Sequence, residues 1–166
     1  MAMEGLVKLV LRLTRLADIL IKTIIIASMF AILVVTCLQV FMRFIMDNPL
    51  SWPEELARYA MIWASLLAAV YVQLDRGHLG IDFFVLKLPK KTAIVVRILM
   101  NVLIVIFMIA AISSGIHEAY TLMGMKTGAL QISRGIPYLA VPVSSALFVI
   151  VTLVLIFRDL TEFKQK

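Results

Sequence analysis

Four stretches of this chain stay apolar for about the 20 residues an α-helix needs to cross the hydrocarbon core of a bilayer. No other feature restricts its fold as strongly. They cover about residues 23–45, 53–74, 92–123 and 137–157. Composition agrees: 63% of the 166 residues are hydrophobic, against roughly 45–50% in a soluble domain. Water cannot solvate such a surface, so the bilayer is the solvent. The sequence therefore predicts an all-α membrane protein of four transmembrane helices in a single membrane domain over residues 1–166.

The second stretch is the most legible. Ser51 suits a helix N-cap and Pro53 lies near the first helical position. Glu54 and Glu55 fall in the first turn, where the helix dipole favours carboxylates. Arg58 follows Glu54 by four residues, in the order that favours an ion pair. From Tyr59 to Leu74 nothing is charged at neutral pH, and Asp75-Arg76-Gly77-His78 then stops the helix. Trp52 and Tyr71 stand where aromatic interface anchors are expected. Ala57, Ala60, Ala64, Ala68 and Ala69 line one side, as in close membrane helix packing.

Before the first span, residues 4–22 are amphipathic. Lys8, Arg12, Arg15 and Lys22 share one helical stripe, with leucines, valine and isoleucine over the remainder. This pattern predicts a helix lying in the lipid interface, the alternative being a cytoplasmic extension of the first span, with Asp18 placed to pair with Lys22. Asp47-Asn48-Pro49 is a turn that makes the first two spans antiparallel neighbours. A helix over Thr92–Met123 would be about 48 Å long, so it must tilt, kink or protrude. Ser113-Ser114-Gly115 is a plausible kink point. Residues 124–136, with three glycines, read as an irregular link.

Basic residues set the orientation. Twelve lie in the N-terminal segment, the connection between spans two and three, and the tail; four (Arg43, Arg58, Lys126, Arg134) lie on the other side. That bias places both termini in the cytoplasm.

Charged groups inside a membrane are the usual marks of a transport path, and here every Asp, Glu, Lys, Arg and His falls at the end of a span or outside it. His78 and His117 are expected on opposite sides, so they cannot share a metal or a haem. Cys37 has no second cysteine to pair with. Without a phosphate loop, HExxH or Ser/His/Asp arrangement, no enzymatic chemistry and no cofactor are expected. Without a basic patch on a soluble fold, no nucleic-acid partner is expected either. An accessory subunit packed against another membrane protein fits these absences. The rival is a stand-alone small four-helix exporter, which needs a carboxylate inside the membrane; Glu118 is the only distant candidate.

Arg43, Glu54, Glu55 and Arg58 share one depth near the outer interface. They make either an ion-pair clamp, fixing spans one and two or gripping a partner, or ordinary solvated helix ends. His78 and Asp82, four apart, read chiefly as loop polarity. Trp52 reads as an interface anchor and the deeper Trp63 as helix packing.

The pattern W-x-E-E-x-x-R-x-x-x-x-W from Trp52 to Trp63 is followed by Gly77-His78, Asp82, Leu88-Pro89 and Ile136-Pro137-Tyr138 with Pro142. In this order and spacing the chain resembles the small (Q-type, DctQ-like) membrane subunit of tripartite ATP-independent periplasmic (TRAP) transporters. The resemblance implies a bacterial inner-membrane complex. A large sodium-coupled subunit moves by an elevator motion, and a periplasmic binding protein delivers an organic acid such as a C4-dicarboxylate or sialic acid. It implies that the small subunit widens the fixed scaffold; the motif residues Trp52, Glu54, Glu55, Arg58, Trp63, His78 and Asp82, together with Arg43 from the charge cluster, are then expected to make its structural or partner contacts.

Overall fold

A computed structural model describes the backbone over residues 2–74 and 89–164, and side chains over 18–74, 89 and 92–161. Helix α1 (Ala2–Phe44) is followed by α2 (Trp52–Leu74), α3 (Lys90–Leu122), the single turn α4 (Gly135–Tyr138) and α5 (Ala140–Lys164). Four helical segments are long and apolar enough to cross a membrane: Asp18–Phe44, Trp52–Leu74, Thr92–Leu122 and Gly135–Thr161. Among the described residues there is no strand longer than an isolated bridge.

The 43 residues of α1 form one unbroken helix, about 65 Å long. The amphipathic stretch and the first span are therefore continuous, with no break near residue 22. Between residues 18 and 44 its protected positions are Asp18, Ile21, Ile25, Ser28, Ile32, Val35, Gln39 and Met42. From Ile21 onward the spacing alternates between four and three. A 3.5-residue repeat is the seam of a left-handed helix pair, and α2 is the helix it packs on.

At the end of α1 the Phe41 carbonyl accepts from the Ile45 and Met46 amides, and the Met42 carbonyl accepts from Asn48. Asp47 takes a φ of 50° to make this turn, a left-handed conformation that Asp tolerates better than most residues. Helix α3 passes Ser113-Ser114-Gly115 without interruption. At its far end, residues 123–134 form a small hairpin where the sequence suggested only an irregular link. Lys126 and Ser133 bridge antiparallel, and Thr127 N–H donates to the Ile132 carbonyl at 2.8 Å. Gln131, with φ 55°, turns the chain.

Packing order is α1–α2–α5–α3, an open row in which α1 has no close backbone contact with α3 or α5; α4 touches α2, α3 and α5. Of the four apolar segments, Gly135–Thr161 has the largest share buried inside the chain, and α5 stands between α2 and α3. The approaches of α5 and α4 to α3 each depend on a glycine. A Cβ on Gly115 would stand 2.9 Å from Pro142 Cδ, and one on Gly135 would stand 2.6 Å from the Ala119 carbonyl oxygen. Small residues permit such close crossings in membranes, where dispersion contacts replace the hydrophobic drive. The apolar core is correspondingly small: Ile21, Leu67, Val70 and Phe148, with Trp63, Tyr71 and Ile104 among those packed around it.

Candidate functional site

The described charged groups gather at the two ends of the row. At the end that carries links 45–51 and 123–134, the adjacent glutamates of α2 point to different tasks. Glu55 Oε2 accepts hydrogen bonds from the backbone N–H groups of Ala129 (2.8 Å) and Leu130 (2.9 Å). Its other oxygen accepts from the Tyr59 hydroxyl at 2.6 Å. One carboxylate thus ties the start of α2 to the tip of the hairpin, 74 residues along the chain. Charged acceptors make the stronger class of hydrogen bond. Glu54 faces outward and pairs with Arg58 at 3.2 Å, with both side chains well exposed (66% and 63%). A pair that exposed contributes about 0–1 kcal/mol.

The start of α2, the hairpin and α4 enclose a cleft of ≈ 530 Å³, lined by Glu54, Arg58, Tyr59, Arg134 and Tyr138 among others. Arg43 takes no part in it. Its guanidinium lies 5.7 Å from the ring centroid of Phe44, and among the described residues no ion pair joins it to α2. The contact that fixes α2 at this depth is therefore Glu55 to the hairpin, in place of a charge pair across spans one and two. Trp52 is half-buried at the same end. Trp63, three turns deeper, packs against the core. Glu118 is exposed, four residues before the end of α3.

At the opposite end, Lys22 pairs with Asp18 at 3.2 Å and its ammonium stands 4.8 Å from the centroid of Tyr71. Lys22 thus joins α1 to α2 as well as facing the surroundings. Lys8, Arg12 and Arg15 lie on the first half of α1, but their side chains, like all of His78 and Asp82, lie outside the described residues.

A polar seam inside the row was not anticipated. Gln73 Nε2 donates to Asn101 Oδ1 (3.3 Å) and to Thr152 Oγ1 (3.1 Å), joining α2, α3 and α5. Thr152 in turn donates to the Phe148 carbonyl at 2.8 Å. Beyond it Asp159, with its side chain 1% exposed, faces Arg97 at 3.9 Å. Ser145, Thr152 and Asp159 are buried and spaced by seven along α5. That heptad of polar residues was the available signal; Asp159 instead read as part of a charged tail.

Every described ionisable side chain thus sits within about two turns of a span end. Among the described residues no group of three or more His, Cys, Asp and Glu could hold a metal ion.

Comparison with known proteins agrees with this architecture. The family model for the DctQ component of tripartite ATP-independent periplasmic transporters matches residues 32–162. A putative TRAP transporter small permease protein of Haemophilus influenzae is 23% identical over 155 residues, covering 92% of this chain and 94% of that protein. The sialic acid TRAP transporter small permease protein SiaQ of Vibrio cholerae is 29% identical over 91 residues, covering 55% of this chain and 53% of that protein. With most of its length matched by the family model, and four helices able to span a membrane, the chain belongs to the DctQ family, the small membrane component of TRAP transporters.

Proposed function

We propose that this chain is a fixed scaffold subunit. It packs against a large sodium-coupled membrane subunit that works with a periplasmic substrate-binding protein, and the complex takes up an organic acid of the C4-dicarboxylate or sialic acid class. The observation that carries this reading is how the polar seam is closed. Gln73 donates to both Asn101 and Thr152 across three helices, so these polar groups hold the helices together, which supports a structural role. Glu118, the carboxylate that a stand-alone exporter would need, lies exposed near the end of α3. The sialic acid transporter relative supports the substrate class. The twelve-to-four bias of basic residues supports a bacterial inner-membrane location with both termini in the cytoplasm.

Co-expression with a large TRAP membrane subunit tests the proposal. The expected result is a stable complex that, with sodium and the binding protein, takes up the organic acid into vesicles. Vesicles holding this chain alone should take up none. Uptake by the chain alone, or failure of the two subunits to co-purify, would overturn the scaffold reading.

A further inference from the structure

The cleft at the link end is lined by both charged and apolar groups. Glu54, Arg58 and Arg134 give it charge, while Ile62 and Pro137 line it with apolar surface. From Glu54 to Ile62 helix α2 rises about 12 Å, more than the thickness of one headgroup layer, about 5–8 Å. A site of this kind, at the end of four spans, suits an amphiphile better than a free ion.

Its charges are unevenly committed. Glu55 is occupied by the hairpin amides and Tyr59. The Glu54–Arg58 pair is exposed and easily exchanged for another partner. Among the described residues the Arg134 guanidinium has no ion-pair partner. Glu54, Glu55, Arg58 and Arg134 sum to zero formal charge, so a bare anion finds no net attraction. A ligand bearing both signs a few bonds apart finds both.

We propose that this cleft binds a phospholipid with a phosphoethanolamine headgroup, its phosphate on Arg134 and Arg58, its ammonium on Glu54, and its acyl chains leaving past Ile62. Guanidinium groups match phosphate oxygens in a planar fork, and a primary ammonium donates N–H bonds that a carboxylate accepts. The lipid needs no partner subunit for this and holds the α2–hairpin corner whether or not the chain is assembled with one.

Thermal unfolding of the full chain in detergent tests it, with short-chain phosphatidylethanolamine, phosphatidylcholine, phosphatidylglycerol and inorganic phosphate as probes. Phosphatidylethanolamine should raise Tm saturably. Phosphatidylcholine and phosphatidylglycerol should need about tenfold higher concentration, the factor expected for one lost or mismatched charged hydrogen bond. Phosphate alone should give no shift. Arg134→Gln should raise the half-saturating concentration of phosphatidylethanolamine about tenfold or more, and Arg134→Lys should recover part of it. Glu54→Gln should erase the preference for phosphatidylethanolamine over phosphatidylglycerol. An equal response to all three lipids, an unchanged response in Arg134→Gln, or a full shift from phosphate alone would overturn the proposal. Should Arg134→Gln fail to fold, Glu54→Gln decides alone: it replaces an exposed side chain, and an unaltered lipid preference in it counts against the site.

Discussion

Two neighbouring glutamates show how far a single side chain can be read. The Glu54–Arg58 pair was legible because a helix fixes residues four apart on one face. The bonds from Glu55 to the amides of Ala129 and Leu130 were not. Backbone N–H groups have no sequence identity, and the hairpin that aims them is 74 residues away. The two carboxylates therefore answer differently to mutation. Glu55→Ala is expected to destabilise more than Glu54→Ala, since it removes a charged acceptor shared by two backbone amides and the Tyr59 hydroxyl. It should also speed hydrogen exchange at Ala129 and Leu130. Glu54→Ala should cost under about 1 kcal/mol and leave those amides protected. Equal destabilisation of the two variants, measured by unfolding in the same detergent, would refute the distinction. Glycines offer a second contrast. Gly135→Ala and Gly115→Ala place a Cβ within 2.9 Å of neighbouring atoms, and overpacking of this kind costs about 1–3 kcal/mol. Gly124→Ala, with nothing within 4 Å, should be near neutral. A comparable loss of stability in Gly124→Ala would show that the close contacts are not the cause.

Helices were more legible than side chains. Hydropathy anticipated four helices long and apolar enough to cross a membrane, because the hydrocarbon thickness sets a minimum length that shorter runs fail. It misplaced what it cannot sense. The junction near residue 22 is helical on both sides, so a change of polarity there marks no change of backbone. The short turn α4 precedes α5, and Pro137 is tolerated there because the first turn of a helix needs no N–H donor. The polar seam escaped notice because Gln73, Asn101 and Asp159 come from three helices, and only their packing order brings them together. Asp159→Ala should cost about 3 kcal/mol, the low end for breaking a buried pair, because Arg97 keeps 30% exposure. The double variant Asp159→Leu with Arg97→Leu should recover most of that loss. No recovery in the double variant would mean that the pair itself is not what the seam contributes.

At the largest scale the described helices form a row that leaves large apolar side chains uncovered. Phe30, Phe107 and Phe157 are each more than 60% exposed, a surface that requires lipid or a partner to cover it. Its orientation is open to direct measurement. In a Cys37→Ala background, single cysteines at Asn48 and Gly128 should react with a membrane-impermeant maleimide from outside intact cells. A cysteine replacing Lys166 should react only after permeabilisation. Labelling of Lys166→Cys in intact cells would reverse the orientation drawn from the basic residues.

The regular seam of α1, and close backbone contacts that run to α2 and to no other described helix, also make α1 a detachable outrigger. A chain severed at the Asp47–Asn48 turn and supplied as two co-expressed pieces should reassemble, each piece retrieving the other on an affinity column. Replacing Ile25 and Ile32, both on the seam, with larger phenylalanines should abolish the retrieval. The same changes on the exposed positions Ile24 and Leu33 should not.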